Sequence, residues 1–417
     1  MQPTRSPRRC FASQPLEGRR LWFVGIGGAG MSALALVARA WGAEVGGSDR
    51  VRSSYVERLE AAGIPVVVGH DAANLPEGAE IIVSSAIAPD NPEVSRAARV
   101  IRKRGELLAE LVALRPSIVV AGAHGKTTTA GMIAFCLERL GNDPTFLIGG
   151  EIPQLGGNAR AGEGWLVAEG DESDRSLELL RPRIAVLTNV ELDHHATFGS
   201  EAELRELFEE WLGAAPAAVR GEELEPAALE LAVPGEHNRR NAATALAALE
   251  LAGVGREEAE RVLPRFRGAG RRFDPRGEAA GIRVYDDYAH HPSEISATLA
   301  AAREAVDGGR ILVVFQPHLF SRTRHLAHDL GTALAAADAV AVADVYGARE
   351  DPVAGVSGKL VVDALAAARP GMQVAWTPSL EDAARFLARR ARPGDLVLTI
   401  GAGDVECAGP LILEELA

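Results

Sequence analysis

Short apolar runs rich in β-branched residues alternate with segments of helical apolar periodicity at the start of the chain. The runs lie at 22–24, 44–47, 66–68 and 81–84, with a further one around Ile101. Strands separated by helical segments are typical of βαβ units, which build a parallel sheet. The pattern therefore predicts an α/β domain in this part of the chain.

The same alternation occurs in two later stretches. The second starts near Arg115, and its expected elements are strands at 117–121, 165–168 and 184–188 and a helix that contains 239–251. The third follows Arg272, and its expected strands are 282–285, 311–315, 339–343 and 396–400.

The length of 417 residues is too great for one ordinary core and indicates two or three domains. We expect a disordered extension at 1–18, followed by α/β domains at 19–114, 115–268 and 269–417.

The composition indicates a soluble globular protein, with 47% hydrophobic and 24% charged residues. The net charge of −13 argues against a nucleic-acid partner and against an anionic membrane surface, because both favour basic proteins. No apolar stretch approaches the roughly 18 residues of a membrane span, so we expect no membrane insertion. The first 17 residues are rich in Arg and Pro and lack the apolar segment of a secretory signal.

The three cysteines, Cys10, Cys136 and Cys407, are widely spaced and odd in number. They match neither a disulfide framework nor a zinc site. We therefore expect a reducing, cytoplasmic compartment.

The segment around residue 122 has the features of a nucleotide triphosphate site. A buried strand stops at Gly122, and a short loop with Gly125, Lys126 and Thr127 opens a helix that runs to about Leu140. Unpaired N–H groups at a helix N-terminus attract phosphates, a lysine reaches the β/γ-phosphates, and a threonine hydroxyl can hold Mg²⁺. The glycine spacing differs from the standard Walker form, but the context predicts ATP or GTP binding.

A second glycine loop follows the first predicted strand. Gly25, Gly27 and Gly30 fit G-x-G-x-x-G, and Asp49 closes the next strand where a ribose-binding acid belongs. Taken alone, the loop indicates a dinucleotide oxidoreductase or a tight turn without a ligand. A diphosphate beside a ribose also occurs in UDP-sugars. Both loops together suggest an ATP-driven enzyme whose substrate is itself a nucleotide.

Acidic and histidine residues follow two further predicted strands. Glu169 lies in an acid-rich segment at 168–174, at the carboxyl end of a strand, where a metal that bridges phosphates finds its carboxylate. His194 and His195 follow the strand at 184–188. Without cysteine partners or an H-E-x-x-H helix, we expect one of them to serve Mg²⁺ or the substrate rather than zinc.

Together these motifs resemble the Mur ligase family over about residues 21–405. The matching segments are 25–31, 84–87, 122–128, 168–174, 188–189, 193–194, 237–241, 270–274, 286–292 and 315–323.

The resemblance implies a Rossmann-like N-terminal domain that binds a UDP-substrate, a P-loop-type central ATPase domain and a Rossmann-like C-terminal domain that binds an amino acid. It also implies the reaction: ATP phosphorylates the lactyl carboxylate of UDP-N-acetylmuramic acid, and the amine of L-alanine attacks the acyl phosphate. A bare carboxylate resists amine attack because its leaving group would be oxide. ATP and Mg²⁺ are the implied cofactors.

The resemblance also assigns residues to roles. Those implied to bind ATP are Gly122, Ala123, His124, Gly125, Lys126, Thr127, Thr128, Asn238, Asn241, Arg272 and Asp287. Those implied to bind the UDP-substrate are Gly25, Gly27, Gly28, Gly30, Asp49, Ser84 and Ser85. Those implied to line the amino-acid pocket are Tyr288, His290 and Arg322. Thr127 and Glu169 would hold one Mg²⁺ and His194 a second. The implied catalytic set is Lys126, Glu169, His194, Arg272 and Asp287.

Two positions depart from the family pattern. The segment 195–237 is shorter than its counterpart, so we expect part of a small antiparallel sheet to be missing. Leu319 stands where some relatives carry arginine, which leaves the contacts of the third domain open.

Three other functions compete with this hypothesis. A ligase could join a preformed peptide to the same UDP-substrate, a non-catalytic regulator could retain nucleotide binding, and a dehydrogenase could use the first glycine loop. The dehydrogenase leaves the second phosphate loop unexplained, and the regulator leaves the set of catalytic residues unexplained. Preference among alanine, serine and glycine, and the choice between monomer and homodimer, stay open.

Overall fold

The computed structural model describes residues 14–95, 100–192, 197–348 and 350–417. The predicted α/β class with three domains is confirmed by three sheets, each built mainly of parallel strands. By their internal contacts the residues group into two compact units. The first unit runs up to Glu225 and includes Asn241–Leu263, and the second comprises Pro226–Arg240 and Pro264–Ala417. The domain boundaries expected after residues 114 and 268 remain a prediction.

The first sheet contains five parallel strands in the order β3-β2-β1-β4-β5. Its elements are β1 (Arg20–Val24), α1 (Ala29–Ala40), β2 (Glu44–Asp49), α2 (Ser54–Ala61), β3 (Val66–Val68), β4 (Glu80–Val83), α3 (Pro92–Ser95), β5 (Ile101–Lys103) and α4 (Arg104–Leu114). The strand order reverses between β1 and β4, and ligands of open α/β sheets bind at such a point.

The second sheet has the order β11-β10-β6-β9-β7-β8, with β8 antiparallel to β7 at one edge. Its elements are β6 (Ser117–Ala121), α5 (Lys126–Arg139), β7 (Thr145–Ile152), β8 (Gly157–Arg160), β9 (Leu166–Glu169), β10 (Ile184–Leu187), α6 (Glu201–Gly213), β11 (Ala217–Arg220), α7 (Glu236–Leu251) and α8 (Arg256–Val262). Strand β6 is fully buried between β10 and β9, so its carboxyl end is flanked by both neighbours.

One hydrophobic cluster covers both of these sheets, which explains why they form one compact unit. It runs from Phe23 and Leu34 in the first sheet and its helix to Leu147 and Phe208 around the second sheet. A polar contact reinforces it, because the buried Asn158 of β8 donates from Nδ2 to Ala29 O at 2.9 Å. The start of α1 is thereby tied to the second sheet.

The second unit contains a six-stranded sheet in the order β12-β13-β17-β14-β15-β16. Its elements are β12 (Asp274–Ala279), β13 (Ile282–Asp287), α9 (Pro292–Ala305), β14 (Ile311–Phe315), α10 (Phe320–Leu334), β15 (Ala339–Val342), α11 (Gly358–Ala368), β16 (Gln373–Trp376), α12 (Leu380–Ala388), β17 (Leu396–Ile400) and α13 (Ala408–Leu416). Edge strand β12 is antiparallel to β13, and the other strands are parallel. Separate apolar clusters cover the two faces.

Within the described part of the shortened segment, residues 197–235, the secondary structure comprises α6, β11 and a single 3-10 turn. Strand β11 pairs in parallel with β10. None of the helices in the described residues combines the length and the apolar character needed to cross a membrane.

Candidate active site

The triphosphate loop joins β6 to α5 through two glycines with positive φ, as the sequence predicts for a strand, loop and helix at this point. Gly122 has a φ of +125° and Gly125 a φ of +80°, in the region that favours glycine. A Cβ on Gly122 would lie 2.3 Å from Thr188 Oγ1, and one on Gly125 would lie 2.4 Å from Asn241 Oδ1. Glycine is therefore required at both ends of the loop.

Residues at the end of β10 hold the backbone of this loop. Thr188 Oγ1 donates to His124 O at 2.6 Å, and Asn189 Nδ2 donates to the same oxygen at 2.9 Å. The Asn189 carboxamide oxygen accepts from His124 N at 2.9 Å. The His124 ring contacts Glu191, with 2.8 Å between Nε2 and Oε2. These bonds preorganise the loop that is predicted to surround the phosphates.

The Lys126 ammonium folds back into its own loop. Its Nζ donates to Gly122 O at 2.5 Å, to Ala123 O at 3.3 Å and to Glu172 Oε1 at 3.1 Å. Burial disfavours the charged ammonium, but neighbouring carboxylates, led by Glu172, outweigh it and raise the pKa of Lys126. Lys126 is therefore charged at the base of the loop.

Thr127 and Glu169 meet beside Lys126. Thr127 Oγ1 donates to Glu169 Oε2 at 3.1 Å, and Glu169 Oε1 accepts from Gly149 N at 2.5 Å. A hydroxyl and a carboxylate supply the hard oxygen donors that Mg²⁺ prefers, and this ion commonly takes only one or two protein ligands besides water and phosphate. The pair therefore fits the predicted Mg²⁺. His194 lies outside the described residues.

The remaining predicted ATP residues belong to two different units. Thr128 is buried in the first turn of α5, and Asn241 packs against Gly125. Asn238, Arg272 and Asp287 belong to the second unit. The roles of all these residues remain predictions.

The first glycine loop connects β1 to α1 at the point where the strand order reverses. Gly25 N and Ile26 N donate to Ser48 O at 2.8 and 3.0 Å. Gly27 N donates to Asp49 Oδ2 at 2.8 Å, so the predicted ribose-binding acid braces the loop itself. A Cβ on Gly27 would approach Val56 Cγ2 to 2.8 Å. The role of Asp49 toward a substrate remains a prediction.

One cavity of about 380 Å³ in the first unit is lined by residues of both loops. The first loop contributes Gly28 and Gly30, and the end of β4 contributes Ser84 and Ser85. The charged residues that line it are Lys126, Glu169, Asp171 and Arg104. Two predicted phosphate sites therefore share a single space.

Arg104 is a cavity residue that the sequence analysis does not select. It is the third basic residue in a row, and its sequence neighbourhood carries no motif. The signal that could have found it is its position directly after β5, at the carboxyl edge of the first sheet. Proximity to Asp171, which lies 67 residues further along the chain, becomes visible only in the fold.

In the second unit, Asp287 ends β13 with both carboxylate oxygens bonded to backbone. Oδ2 accepts from Phe273 N at 2.7 Å, and Oδ1 accepts from Ala289 N at 2.8 Å. Burial raises the pKa of Asp287 to about 6, although Arg272 and these two N–H groups act in the opposite direction. Asp287 is therefore a carboxylate that titrates near neutral pH.

The two arginines before Asp287 have different surroundings. Arg271, with a φ of +57°, donates to Asp286 Oδ2 at 2.9 Å and to the carbonyl of Gly401 at 2.8 Å, so it anchors the turn. Arg272 lies 3.6 Å from Glu294 Oε1, and its guanidinium stacks over Tyr288 at 5.2 Å from the ring centroid. Arg271 also lies over the Tyr288 ring, at 5.1 Å from the centroid, so the two arginines differ in their acidic partners and not in the aromatic contact.

The three predicted amino-acid residues lie in one row in the second unit. The Tyr288 and His290 rings are 5.5 Å apart, and the His290 and His318 rings are 6.0 Å apart. The buried Arg322 completes the row, with 3.1 Å between its Nη1 and His318 Nδ1. Tyr346 stacks on His318 from the other side at 5.9 Å. The structure thus brings Tyr288, His290 and Arg322 together through His318.

Family models account for most of the chain. The catalytic domain of the Mur ligase family matches residues 20–115, the Mur ligase middle domain matches 120–212, and the Mur ligase glutamate ligase domain matches 271–403. The chain belongs to the Mur ligase family, which confirms the resemblance found in the sequence.

Three individual proteins are similar to this chain over nearly its whole length. A protein of Streptomyces coelicolor named UDP-N-acetylmuramate–L-alanine ligase is 43% identical, and the match covers 97% of this chain and 99% of the relative. The crystal structure of the UDP-N-acetylmuramate–alanine ligase of Thermotoga maritima is 29% identical with a TM-score of 0.82, over 95% of this chain and 98% of that one. A murein peptide ligase of Psychrobacter arcticus shares the fold, with a TM-score of 0.69 and 24% identity over 96% of this chain and 99% of that one.

Proposed function

We propose that this protein uses ATP to join L-alanine to the lactyl carboxylate of UDP-N-acetylmuramic acid, a cytoplasmic step of peptidoglycan synthesis. The observation that carries the proposal is the cavity that both phosphate loops line. A phosphoryl transfer between two nucleotides requires their reacting groups to meet, and this cavity provides the space. The full-length similarity to a UDP-N-acetylmuramate–L-alanine ligase supports the choice of substrates.

The reaction has two steps. The γ-phosphoryl group of ATP passes to a carboxylate oxygen, so that an O–P bond forms as the bond to ADP breaks. The amine of L-alanine then attacks the carbonyl carbon, the C–N bond forms, phosphate leaves and the amine loses a proton. Charge neutralisation and positioning supply most of the catalysis in phosphoryl transfer. Lys126 serves this purpose, since its buried ammonium is charged and lies in the loop.

The UDP-substrate lies on the first glycine loop in this proposal. Gly25, Gly27 and Asp49 shape the loop, and the cavity-lining Gly28, Gly30, Ser84 and Ser85 contact the substrate. Thr127 and Glu169 would hold Mg²⁺, and by the family resemblance His194 would hold a second ion. Bound Mg²⁺ offsets the negative charge of the phosphates.

The amino-acid substrate is assigned to the row of Tyr288, His290 and Arg322. A buried guanidinium suits the carboxylate of a free amino acid by bidentate pairing. The family resemblance also assigns Asn238, Arg272 and Asp287 to ATP, together with Gly122, Ala123, His124, Gly125, Thr128 and Asn241. The choice between monomer and homodimer stays open.

The test is phosphate release from ATP in the presence of UDP-N-acetylmuramic acid, compared across L-alanine, glycine, L-serine and a tripeptide. Release should require the UDP-substrate, and L-alanine should support a higher kcat/KM than the tripeptide. The fold alone does not select the amine, because a murein peptide ligase shares it. A tripeptide that outperforms L-alanine would reassign the protein to peptide ligation, and absence of turnover with every amine would favour a regulator.

A further inference from the structure

Arg104 occupies a position from which it can contact a ligand of the cavity. It is the first residue of α4, it follows β5 directly, and it lines the cavity together with Gly30 and Lys126. Its side chain is 16% exposed, so most of the guanidinium is withdrawn from bulk water while it still faces the cavity. Interactions of a charged group gain strength in such surroundings.

One nitrogen of this guanidinium, Nη2, is held by Asp171, an acid that lines the cavity. Nη2 donates to Asp171 Oδ2 at 2.8 Å and lies 3.8 Å from Asp174 Oδ2. Asp171 Oδ1 accepts from Ser173 N at 3.0 Å and from Ser173 Oγ at 2.6 Å, so the acid that holds the arginine is itself held in place. The orientation of Arg104 is therefore set by the protein.

A second nitrogen of Arg104, Nη1, faces the first glycine loop. A Cβ built on Gly30 would have Arg104 Nη1 as its nearest neighbour, at 3.3 Å. Every hydrogen bond and ion pair of this guanidinium within the described residues runs through Nη2. Nη1, the nitrogen nearest to Gly30, is therefore placed to donate to a ligand seated against this loop.

The charge distribution of the cavity gives Arg104 a distinct task. Among the residues that the structure describes, Lys126 and Arg104 are the two cations that line the cavity, together with the acids Glu169 and Asp171. The Lys126 ammonium is already engaged by carbonyls of the triphosphate loop and by Glu172. The proposed UDP-substrate brings a diphosphate and a carboxylate into an acidic protein. Arg104 is the cation of the cavity that lies beside the first glycine loop, where this substrate would bind.

We infer that Arg104 binds an anionic group of the substrate that occupies the first glycine loop, through a charge-assisted hydrogen bond from Nη1. The identity of that substrate rests on the proposed function. Such a bond suits an oxygen of a phosphate and an oxygen of a carboxylate equally well, so the shared chemistry is that of anionic oxygens. In UDP-N-acetylmuramic acid these belong to the diphosphate or to the lactyl group.

The test is calorimetric binding of UDP-N-acetylmuramic acid and UDP-N-acetylglucosamine, which lacks the lactyl carboxylate, to the full-length protein and its variants. Arg104→Gln should lose about tenfold or more in affinity, as expected for a hydrogen bond to a charged group. Arg104→Lys should recover only part of the loss, because one ammonium does not reproduce a planar guanidinium that reaches Asp171 and the ligand with separate nitrogens. Loss for both ligands identifies the diphosphate, and loss confined to UDP-N-acetylmuramic acid identifies the carboxylate.

Arg102→Gln is the matched control. Arg102 lies two residues earlier on β5 and pairs with Glu110 at 2.7 Å and Glu80 at 3.6 Å, and neither acid lines the cavity. The Arg102→Gln protein should bind both UDP ligands with the affinity of the wild type. The Arg104→Gln protein should bind an ATP analogue with the affinity of the wild type. Arg104→Gln and Arg104→Lys proteins that bind both UDP ligands like the control, while the wild type ligates L-alanine, would overturn the inference and leave the function standing. A wild type that binds neither UDP ligand would overturn both.

Discussion

The ammonium of Lys126 has three hydrogen-bond donors, and two loop carbonyls and Glu172 accept them. An ATP phosphate that enters the loop competes with Glu172 for this charge. The phosphate brings more negative charge than one carboxylate, and the N-terminus of α5 adds its own attraction for anions. We therefore expect Lys126 to change partners on binding and to act on the γ-phosphate during transfer.

Lys126→Ala should lower kcat by roughly 10²–10³ or more, by analogy with the loss of one preorganised electrostatic group. Binding of UDP-N-acetylmuramic acid should persist, because its loop is separate. Steady-state phosphate release and calorimetry measure the two quantities. Lys359→Ala is the control, since Lys359 pairs with Asp363 on the exposed face of α11. Retention of more than half of the wild-type turnover by Lys126→Ala would contradict the assignment.

His237 gives the second unit a defined pH response. Burial, followed by the charge of Arg272, lowers the pKa of His237 to about 4, whereas an unfolded histidine titrates near 6.5. Between these values the unfolded chain gains a proton that the folded protein does not take up. The free energy of unfolding should therefore fall as the pH falls from about 6.5 to 4.

Asp287 acts in the opposite sense in an overlapping window. Its raised pKa of about 6 stabilises the folded protein at low pH, and this contribution is lost as the pH rises from about 4 to 6. His237→Gln isolates the histidine contribution. Denaturant titrations should show the wild type losing stability relative to His237→Gln as the pH falls, whereas the exposed His328→Gln control should follow the wild type. Parallel curves for all three proteins would contradict the prediction.

Two adjacent glycines of the first loop, Gly27 and Gly28, are expected to be needed for different reasons. A Cβ on Gly27 would lie 2.8 Å from Val56 Cγ2, whereas one on Gly28 would meet only Gly25 O at 3.7 Å and would face the cavity. Gly27→Ala should therefore destabilise the fold by about 1–3 kcal/mol through overpacking. Gly28→Ala should keep stability within about 0.5 kcal/mol and weaken UDP-substrate binding. Equal stability of the two variants in thermal unfolding would show that Val56 yields to a methyl group.

At the scale of elements, the contact between β8 and α1 ties the two nucleotide loops together. Asn158 Nδ2 donates to Ala29 O and lies 3.3 Å from Ser32 Oγ, and its Oδ1 accepts from Arg58 at 3.4 Å. Ala29 begins the helix that follows the first glycine loop. The position of that loop therefore depends on a residue of the second sheet.

Asn158→Ala should destabilise the protein by about 1–3 kcal/mol, because it leaves buried polar groups without their partner. Asn158→Asp should be worse, since a carboxylate would face the carbonyl oxygen of Ala29. Denaturant unfolding measures both, with the exposed Asn142→Ala as control. If Asn158→Ala were as stable as the control, the contact would not join the two sheets.

Several of the strands that the sequence predicts have a buried apolar run. Strands β6, β10, β14 and β17 are fully buried and lie where their apolar residues indicate. The polar edge strand β12 was not predicted, because it is held by backbone pairing to β13 and its side chains are mostly exposed. The short strand β8 was not predicted for a related reason, since its sequence GNAR lacks an apolar run.

The residues of the candidate site can likewise be divided into those that local sequence pattern indicates and those that only the fold brings together. Lys126 and Glu169 lie just after predicted strands, so local pattern indicated them, whereas Asp287 was assigned by the family resemblance. Arg104 joins the cavity through a tertiary contact with Asp171, and no local pattern encodes such a contact. Asp49 shows a third case, since its contact in the structure is with the loop itself and its role toward a substrate remains a prediction.

At the scale of the whole molecule, both phosphate loops belong to one compact unit with a continuous core. A ligand that binds only the folded form stabilises everything that unfolds with its site. UDP-N-acetylmuramic acid alone should therefore slow amide hydrogen exchange in the second sheet as well as in the first, while β14 and β17 of the second unit change little. Hydrogen-exchange mass spectrometry with saturating ligand measures this. Protection confined to the first sheet would show that the two sheets open independently.

The order in which the chain passes through the two units affects when each unit can fold during synthesis. The chain leaves the first unit after Glu225, returns at Asn241 and departs again after Leu263. On a ribosome that adds ~5–20 residues per second, the first unit lacks its last helical segment for several seconds after β11 has emerged. Residues 226–240 are made early but belong with partners that are made late. Nascent chains arrested before Leu263 should therefore be more accessible to chaperones and proteases than chains arrested shortly after it.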